Sequence, residues 1–287
     1  MDGRITAKII QDSISYLGHR LTTVHVVAPR IILSEINTHR AFSRNSRSSR
    51  AIPTTKLITE VENHPFIPEI RKNQRGMTAK EEIAEGCIEE WKDICTKSTE
   101  AALRMSEKEA HKQWANRVIE PYSYSHTLIT STDMGWKNFF SQRLGETVEP
   151  SMRELAYKIF EEMQSSTPNY LCIGEWHIPY ITSNEMCNES IETLIQLSVA
   201  RCARISINPH DEFSLNKEKD LERYIFLRNN IHLSPFEHIA RVPTPIEIVK
   251  NACVGFFQLL RDQQVNLTYG NFSGWVQYRK IIEMVGR

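Results

Sequence analysis

The sequence predicts an α+β fold, a mixed or antiparallel sheet flanked by many helices. Several stretches place apolar residues at helical spacing, few alternate with period two, and no low-complexity linker divides the 287 residues. The chain is therefore read as a single closely built domain over 1–287, long enough to bury a sizeable core.

The elements follow in order. The β-branched stretch within 21–28 reads as a strand, and Pro29 suits the first turn of a helix running through Ile31, Ile32, Glu35 and Ile36 toward His39 and Arg40. Thr78-Ala-Lys-Glu81 has the pattern of a capping box, opening a helix that carries Ile83, Ile88, Trp91 and Ile94. Between 151 and 164, Met152, Leu155, Ala156, Ile159, Phe160 and Met163 recur at helical spacing, and Thr167-Pro168 closes that segment. Further helices are expected from about Ser190 to Arg204 and from Lys219 to Asn230, with a loop over 208–218.

Composition narrows the function. Lys+Arg and Asp+Glu each total 35, so the net charge is zero and bulk attraction to a long nucleic acid is not expected. No apolar run reaches the roughly 18 residues of a membrane span, and the segment Met1-Asp2-Gly3-Arg4 lacks a signal-peptide core. The six cysteines are scattered without a C-x-x-C pair. That pattern suits buried thiols in a reducing cytoplasm rather than disulfides or a zinc site. His177 likewise lacks the clustered company of a metal ligand, and a structural role is expected for it.

The most unusual segment is Thr38-His-Arg-Ala-Phe-Ser-Arg-Asn-Ser-Arg-Ser-Ser-Arg50, with four arginines, four serines and no acid from Asn37 to Ile58. Guanidinium forks, hydroxyls and backbone amides together suit phosphate. Arg44, Arg47 and Arg50, three apart, would share a face if helical or ring one loop if not. A solvated basic patch or RNA-binding arm is the competing reading.

This window resembles the signature R-H-R-x-x-S-x-N-x-x-S-x-R of the flavin-dependent thymidylate synthases. It matches six of seven fixed positions, through His39, Arg40, Ser43, Asn45, Ser48 and Arg50, and departs at Thr38, where the family has arginine. Downstream, Ala115-Asn-Arg-Val-Ile-Glu-Pro121 resembles the family's A-R-x-x-L-P and Asn138-Phe-Phe-Ser-Gln-Arg143 its N-F-x-x-x-R. The A-Q-x-E-I segment is only poorly echoed at 148–152, and no role is carried over from it.

Two pieces that precede the signature in the family follow it here. Ser198-Val-Ala-Arg-Cys-Ala-Arg-Ile-Ser206 resembles the helix ending A-R-x-S, and Ser234-Pro-Phe-Glu-His238 resembles the S-P-F-E-H loop. The order is read as permuted: 1–180 carries the signature and nucleotide-binding part, and 181–287 resembles the family's N-terminal flavin-binding segment. Gly270-Asn-Phe-Ser-Gly-Trp-Val-Gln-Tyr-Arg279 faintly echoes the approach to the signature, with core packing or a subunit contact expected for Trp275 and Tyr278.

The resemblance implies FAD as cofactor, with NADPH and methylenetetrahydrofolate as co-substrates, and a one-carbon transfer to C5 of dUMP that forms dTMP. It implies that Arg143 grips the pyrimidine edge as the catalytic residue, and that Glu35, Ser48, Arg50 and Arg117 join it around the nucleotide. His39, Arg40, Ser43, Asn45, Asn138, Ser206 and His238 would line the flavin, and no metal is expected. Family members are homotetramers, so a cytoplasmic homotetramer is expected. Two alternatives stand beside this reading: (hydroxy)methylation of another pyrimidine nucleotide such as dCMP, and a non-catalytic nucleotide- or RNA-binding protein. Thr38, Ser46 and Glu35 all depart from residues the family favours near the nucleotide and flavin, which motivates the first.

Overall fold

The structure, a computed structural model, describes residues 5–76, 79–206, 215–250 and 269–285. It is α+β, as expected, and is built on a five-stranded mixed sheet. Strands β1 (Thr6–Ser15) and β2 (Arg20–Pro29) form an antiparallel hairpin whose turn places Gly18 at φ +80°, a left-handed conformation that glycine adopts without a Cβ penalty. A 3-10 turn, Arg30–Ile32, leads into the one-turn helix α1 (Leu33–Ile36). The helix expected to reach His39 therefore stops at Ile36.

The basic window is not a helix. It enters the sheet as strand β3 (Ser43–Ser46), antiparallel to β4 (Tyr124–Thr132), and the sheet runs β3-β4-β2-β1-β5. β5 (Asn169–Leu171) closes the far edge, parallel to β1. A second sheet, not expected from the sequence, joins the short strands β6 (Trp176–His177), β7 (Ala240–Arg241) and β8 (Val276–Gln277).

Both faces of the large sheet are covered, which is why its strands show so little simple alternation. On the first face, Val24, Val26 and Ile129 pack against Ile32, Ile36 and Phe42. The same core takes Trp136 and Phe139 of helix α5 (Asp133–Arg143) and Met152, Leu155 and Ile159 of α6 (Pro150–Ser165). The periodic stretch at 151–164 is thus a core helix, and Glu149 caps it by accepting from the Met152 amide at 2.7 Å.

The second face is more polar and carries Thr23, His25, His126, Thr130, Ser43 and Asn45, all buried. It is roofed by α8 (Ile191–Arg204) and by the 3-10 turn Ser234–His238. Leu128 packs there with Leu194, Val199, Ile205 and Phe236, and with Tyr224 of α9 (Lys217–Asn229). Helix α10 (Tyr278–Val285) adds Tyr278. Ser190 caps α8 through the Thr193 amide, and Thr182 forms a capping box with Glu185 at the start of α7 (Ser183–Asn188). The helices expected near 190–204 and 219–230 both form.

One expected start fails. Thr78 lies outside the described residues, and Lys80, Glu81 and Ile83 are not helical; Ile83 instead bridges Arg71. Helix α3 (Cys87–Glu107) begins after Gly86 at φ +77°. Its buried face is Cys95, Thr99 and Ala102, whereas Ile83 and Ile94 are exposed. It packs on α2 (Thr54–Asn63) through Leu57, Ile58 and Ala102, with Ile52 and Ile119. The short helix α4 (Lys112–Ala115) then leads toward β4. Most of the expected 208–218 loop lies outside the described residues, and Lys217 already belongs to α9. Cys95 and Cys202 are buried as expected, but Cys172 and Cys187 are exposed. Cys253 lies outside the described residues. Among the described residues no helix is long and apolar enough to cross a membrane.

Candidate active site

Arg143, the last residue of α5, reaches back across the one-turn helix α1. Its Nε donates to His39 Nε2 at 2.9 Å, Nη1 to Glu35 Oε2 at 3.2 Å and Nη2 to the Thr38 hydroxyl at 3.2 Å. The ring of His39 rests edge-on against Phe139, one helical turn before Arg143, and beside Phe42. Burial, then the Arg143 and Arg44 charges, push the His39 imidazole down to about 4. The ring is therefore neutral near pH 7, and Nε2 serves as the acceptor while Nδ1 carries the proton. The cluster holds one guanidinium and one carboxylate around a neutral ring, with Arg143 fixed in position but 19% exposed.

The other arginines of the window diverge because strand geometry sends neighbours to opposite faces. Arg44 donates to the Ile36 and His39 carbonyls at 3.0 and 2.9 Å, which holds the loop around His39 in place. Arg47 is 2% exposed and forks onto Glu60 at 2.7 and 2.9 Å. Arg40 and Arg50 are exposed and make no ion pair among the described residues. A uniform basic arm for RNA is not what this window forms, and neither is a shared arginine face.

On the second sheet face, Asn45 Nδ2 donates to the Cys202 carbonyl at 3.4 Å and the Ser48 amide to the Ser206 carbonyl at 3.0 Å. His238 is fully buried, with Nδ1 2.8 Å from the Thr130 hydroxyl, opposite Ser43 in the ladder. Its Nε2 has no partner among the described residues. The segments 198–206 and 234–238 thus sit directly against the signature strand.

Arg117 lies beside the end of the window, because Asn116 Nδ2 donates to the Ser49 and Ile52 carbonyls at 2.6 and 3.0 Å. Its guanidinium stacks 5.5 Å over the exposed Trp114 ring. Asn138 is exposed on α5 and accepts from Gln142. The residues fall into two groups within one chain. Glu35, Thr38, His39, Asn138 and Arg143 lie on the first face, whereas Ser43, Asn45, Ser206 and His238 lie on the second.

Sequence reasoning missed Asn271 and Gln277. Asn271 Nδ2 donates to the Ser43 hydroxyl at 3.1 Å, and Gln277 Nε2 donates to Asn271 Oδ1 at 2.8 Å and the Glu237 carbonyl at 3.1 Å. Arg279 pairs with Glu237. The aromatic run at 270–279 therefore fastens the Ser234–His238 turn to the signature; the faint echo noted in that run was the available signal. Trp275 is buried in the core, as expected.

The family model described as "Thymidylate synthase complementing protein" (Thy1) matches residues 4–169, more than half of the chain. The chain belongs to this family. It is an enzyme of the flavin-dependent thymidylate synthase type, methyltransferase-like, dependent on FAD and acting on a pyrimidine nucleotide. The Thy1 segment contains the signature and the Arg143 cluster, whereas the pieces at 198–206 and 234–238 lie beyond it. No curated protein matches the chain closely enough to count as a relative.

Three depressed histidines, all 5% exposed or less, give this site a pH signature. His39 is pushed to about 4, and burial pushes His177 and His238 to about 3. Between pH 6.5 and those values the unfolded chain binds protons that the folded chain refuses, so stability falls as pH falls. Each ring contributes up to about 1.4 kcal/mol per pH unit in that window. Urea midpoints measured from pH 7.5 to 4.5 should drop steeply below 6.5; a level profile would show that these rings take up protons without cost.

Proposed function

We propose that the enzyme transfers a one-carbon group from methylenetetrahydrofolate to C5 of dUMP, forming dTMP, in the cytoplasm and with NADPH as reductant. The observation that carries this reading is Arg143 held by Glu35, Thr38 and His39 inside the matched family segment. A guanidinium fixed in advance suits the carbonyl edge of a pyrimidine and the negative charge that develops on the ring when C5 reacts. The exposed Arg50, without an ion pair among the described residues, suits the nucleotide phosphate together with Arg117 and Ser48.

The residues present also fit FAD. Among the described residues His238 offers a buried ring nitrogen with no partner, and the exposed guanidinium of Arg40, which makes no ion pair among them, suits a pyrophosphate. With Ser43, Asn45, Asn138, Ser206 and His39 these residues would hold the cofactor. When bound, FAD supplies the redox chemistry, taking electrons from NADPH. No cysteine is needed as a nucleophile, in keeping with Cys95 and Cys202, whose thiols burial pushes upward.

Residues 181–287 are proposed to stand in for the family's N-terminal flavin-binding segment, within one domain. Support comes from the contacts of Ser206 and His238 with the signature and its neighbouring strand. A homotetramer is proposed, because the two groups of site residues lie on opposite sheet faces and one chain alone does not bring them together.

One observation favours a second reading, in which dCMP is the acceptor or the product is hydroxymethylated. Thr38, where the family has arginine, itself touches Arg143. The deciding experiment is anaerobic: the FAD-loaded enzyme is reduced with NADPH, given methylenetetrahydrofolate and either nucleotide, and the product identified. dTMP from dUMP is expected; a modified dCMP, or a hydroxymethyl product, would install the second reading.

A further inference from the structure

A continuous line of buried hydroxyls and imidazoles crosses the large sheet from β1 to the Ser234–His238 turn. Gln11 Nε2 donates to the Ser13 hydroxyl at 3.5 Å, and Ser13 lies 2.9 Å from His177 Nδ1. His177 Nε2 is 2.8 Å from the Thr23 hydroxyl, Thr23 is 2.7 Å from Thr130, and Thr130 is 2.8 Å from His238 Nδ1. Ser13, Thr23, Thr130, His177 and His238 are all fully buried. Among the described residues, five from four strands and one turn thus share a single unbranched path that stops at His238 Nε2.

With the Gln11 amide nitrogen, rather than its oxygen, toward Ser13, the path has a preferred direction. A hydroxyl donates one hydrogen, so each link fixes the next. Ser13 already accepts from Gln11, and its own hydrogen then goes to His177 Nδ1. His177 must therefore carry its proton on Nε2 and donate it to Thr23. Thr23 donates to Thr130, and Thr130 to His238 Nδ1, so the His238 proton sits on Nε2. In the reverse direction Ser13 would receive two donors, and its own hydrogen would have no acceptor among the described residues. Both rings are neutral near pH 7, because burial holds them far below the usual histidine range. Each therefore has a tautomer to be fixed.

We propose that Thr130, Thr23 and His177 are positioning residues that lock His238 as the Nε2–H tautomer, so that the turn presents a buried hydrogen-bond donor. That this donor meets an acceptor of the flavin rests on the reading of His238 given above. The chain also explains why a threonine pair and a histidine occupy a sheet face that apolar residues would otherwise fill: each hydroxyl passes direction from one ring to the other. His177 is structural, as its sequence context suggested, but it acts at a distance on the ring that the family resemblance singled out.

The test reads the tautomer itself. Protein labelled with ¹⁵N-histidine, with no FAD added, is examined by two-bond ¹⁵N–¹H correlation, and His238→Asn and His177→Asn assign the rings. The parent should show both rings as pure Nε2–H. Thr130→Val and Thr23→Val keep the side-chain shape and break the path; each should turn His238 into a tautomer mixture and weaken FAD binding roughly tenfold, about 1.4 kcal/mol. Thr130→Ser, which keeps the hydroxyl, should restore both. An Nδ1–H ring at position 238 in the parent, or a pure Nε2–H ring in both valine variants, would overturn the relay. If the tautomers behave as expected but His238→Asn binds FAD as tightly as the parent, the relay stands and the flavin contact falls.

Discussion

An Arg143→Ala enzyme will form its nucleotide product about 10²–10³-fold more slowly than the parent, a loss of roughly 3–4 kcal/mol of transition-state stabilisation. Among the described residues it is the one side chain that touches Glu35, Thr38 and His39 together, so no described neighbour takes over its place. Arg143→Lys should recover little, because an ammonium cannot reproduce three directed contacts from one planar fork. FAD content and the thermal midpoint should change little, since Arg143 is partly exposed and outside the hydrophobic cores. Single-turnover product formation, compared with flavin absorbance of the same sample, separates the two effects. Turnover within tenfold of the parent would remove Arg143 from the chemistry.

The second large effect is on stability. Asp220 of α9 is fully buried and faces Arg201 at 3.1 Å and Arg204 at 3.0 Å, with Arg223 at 3.7 Å. Arg201 also has Glu185, at 2.5 Å, and that contact holds the Glu185 carboxyl down to about 2. Asp220→Ala takes from Arg204, 6% exposed, and from Arg201 the buried carboxylate that both face. Removing one partner from a buried ionic cluster costs about 3–5 kcal/mol. The variant's urea midpoint should fall accordingly, and the damage should centre on the α8–α9 pair that roofs the second face. A loss below about 1 kcal/mol would show that water reaches these arginines readily.

The parts of this molecule that could be read from the sequence were those with local causes. Met152, Leu155 and Ile159 announce α6 by their spacing, and Ser190 announces the start of α8 by its hydroxyl. His39, Arg40, Ser43, Asn45, Ser48 and Arg50 announce the family by their pattern, and the Thy1 match agrees. Other features had no local cause. The window's strand is decided by pairing with β4, more than eighty residues away in sequence, and its small polar residues carry little intrinsic signal. The Thr78–Glu81 pattern resembled a cap, yet the helix waits for Gly86 because Lys72 and Ile70 pair with Glu82 and Ala84 instead. Asn271 and Gln277 matter through long-range contacts with Ser43 and the Glu237 carbonyl, which no spacing encodes.

The roof over the second sheet face has a consequence for how the molecule forms. Strands β1 to β4 are complete at Thr132, but their covering comes from Ile191–Arg204, Ser234–His238 and the segment around Asn271 and Gln277. At ordinary ribosomal speeds the last of these emerges on the order of ten seconds after β4. Until then Thr23, Thr130 and their neighbours are satisfied by water, and a wet polar face is far less sticky than a bare apolar one. Apart from Leu128 the half-built sheet shows mainly polar side chains on this face, and its closure is a late drying step set by contacts of long sequence separation. The polar character of that face serves assembly before it serves the finished enzyme.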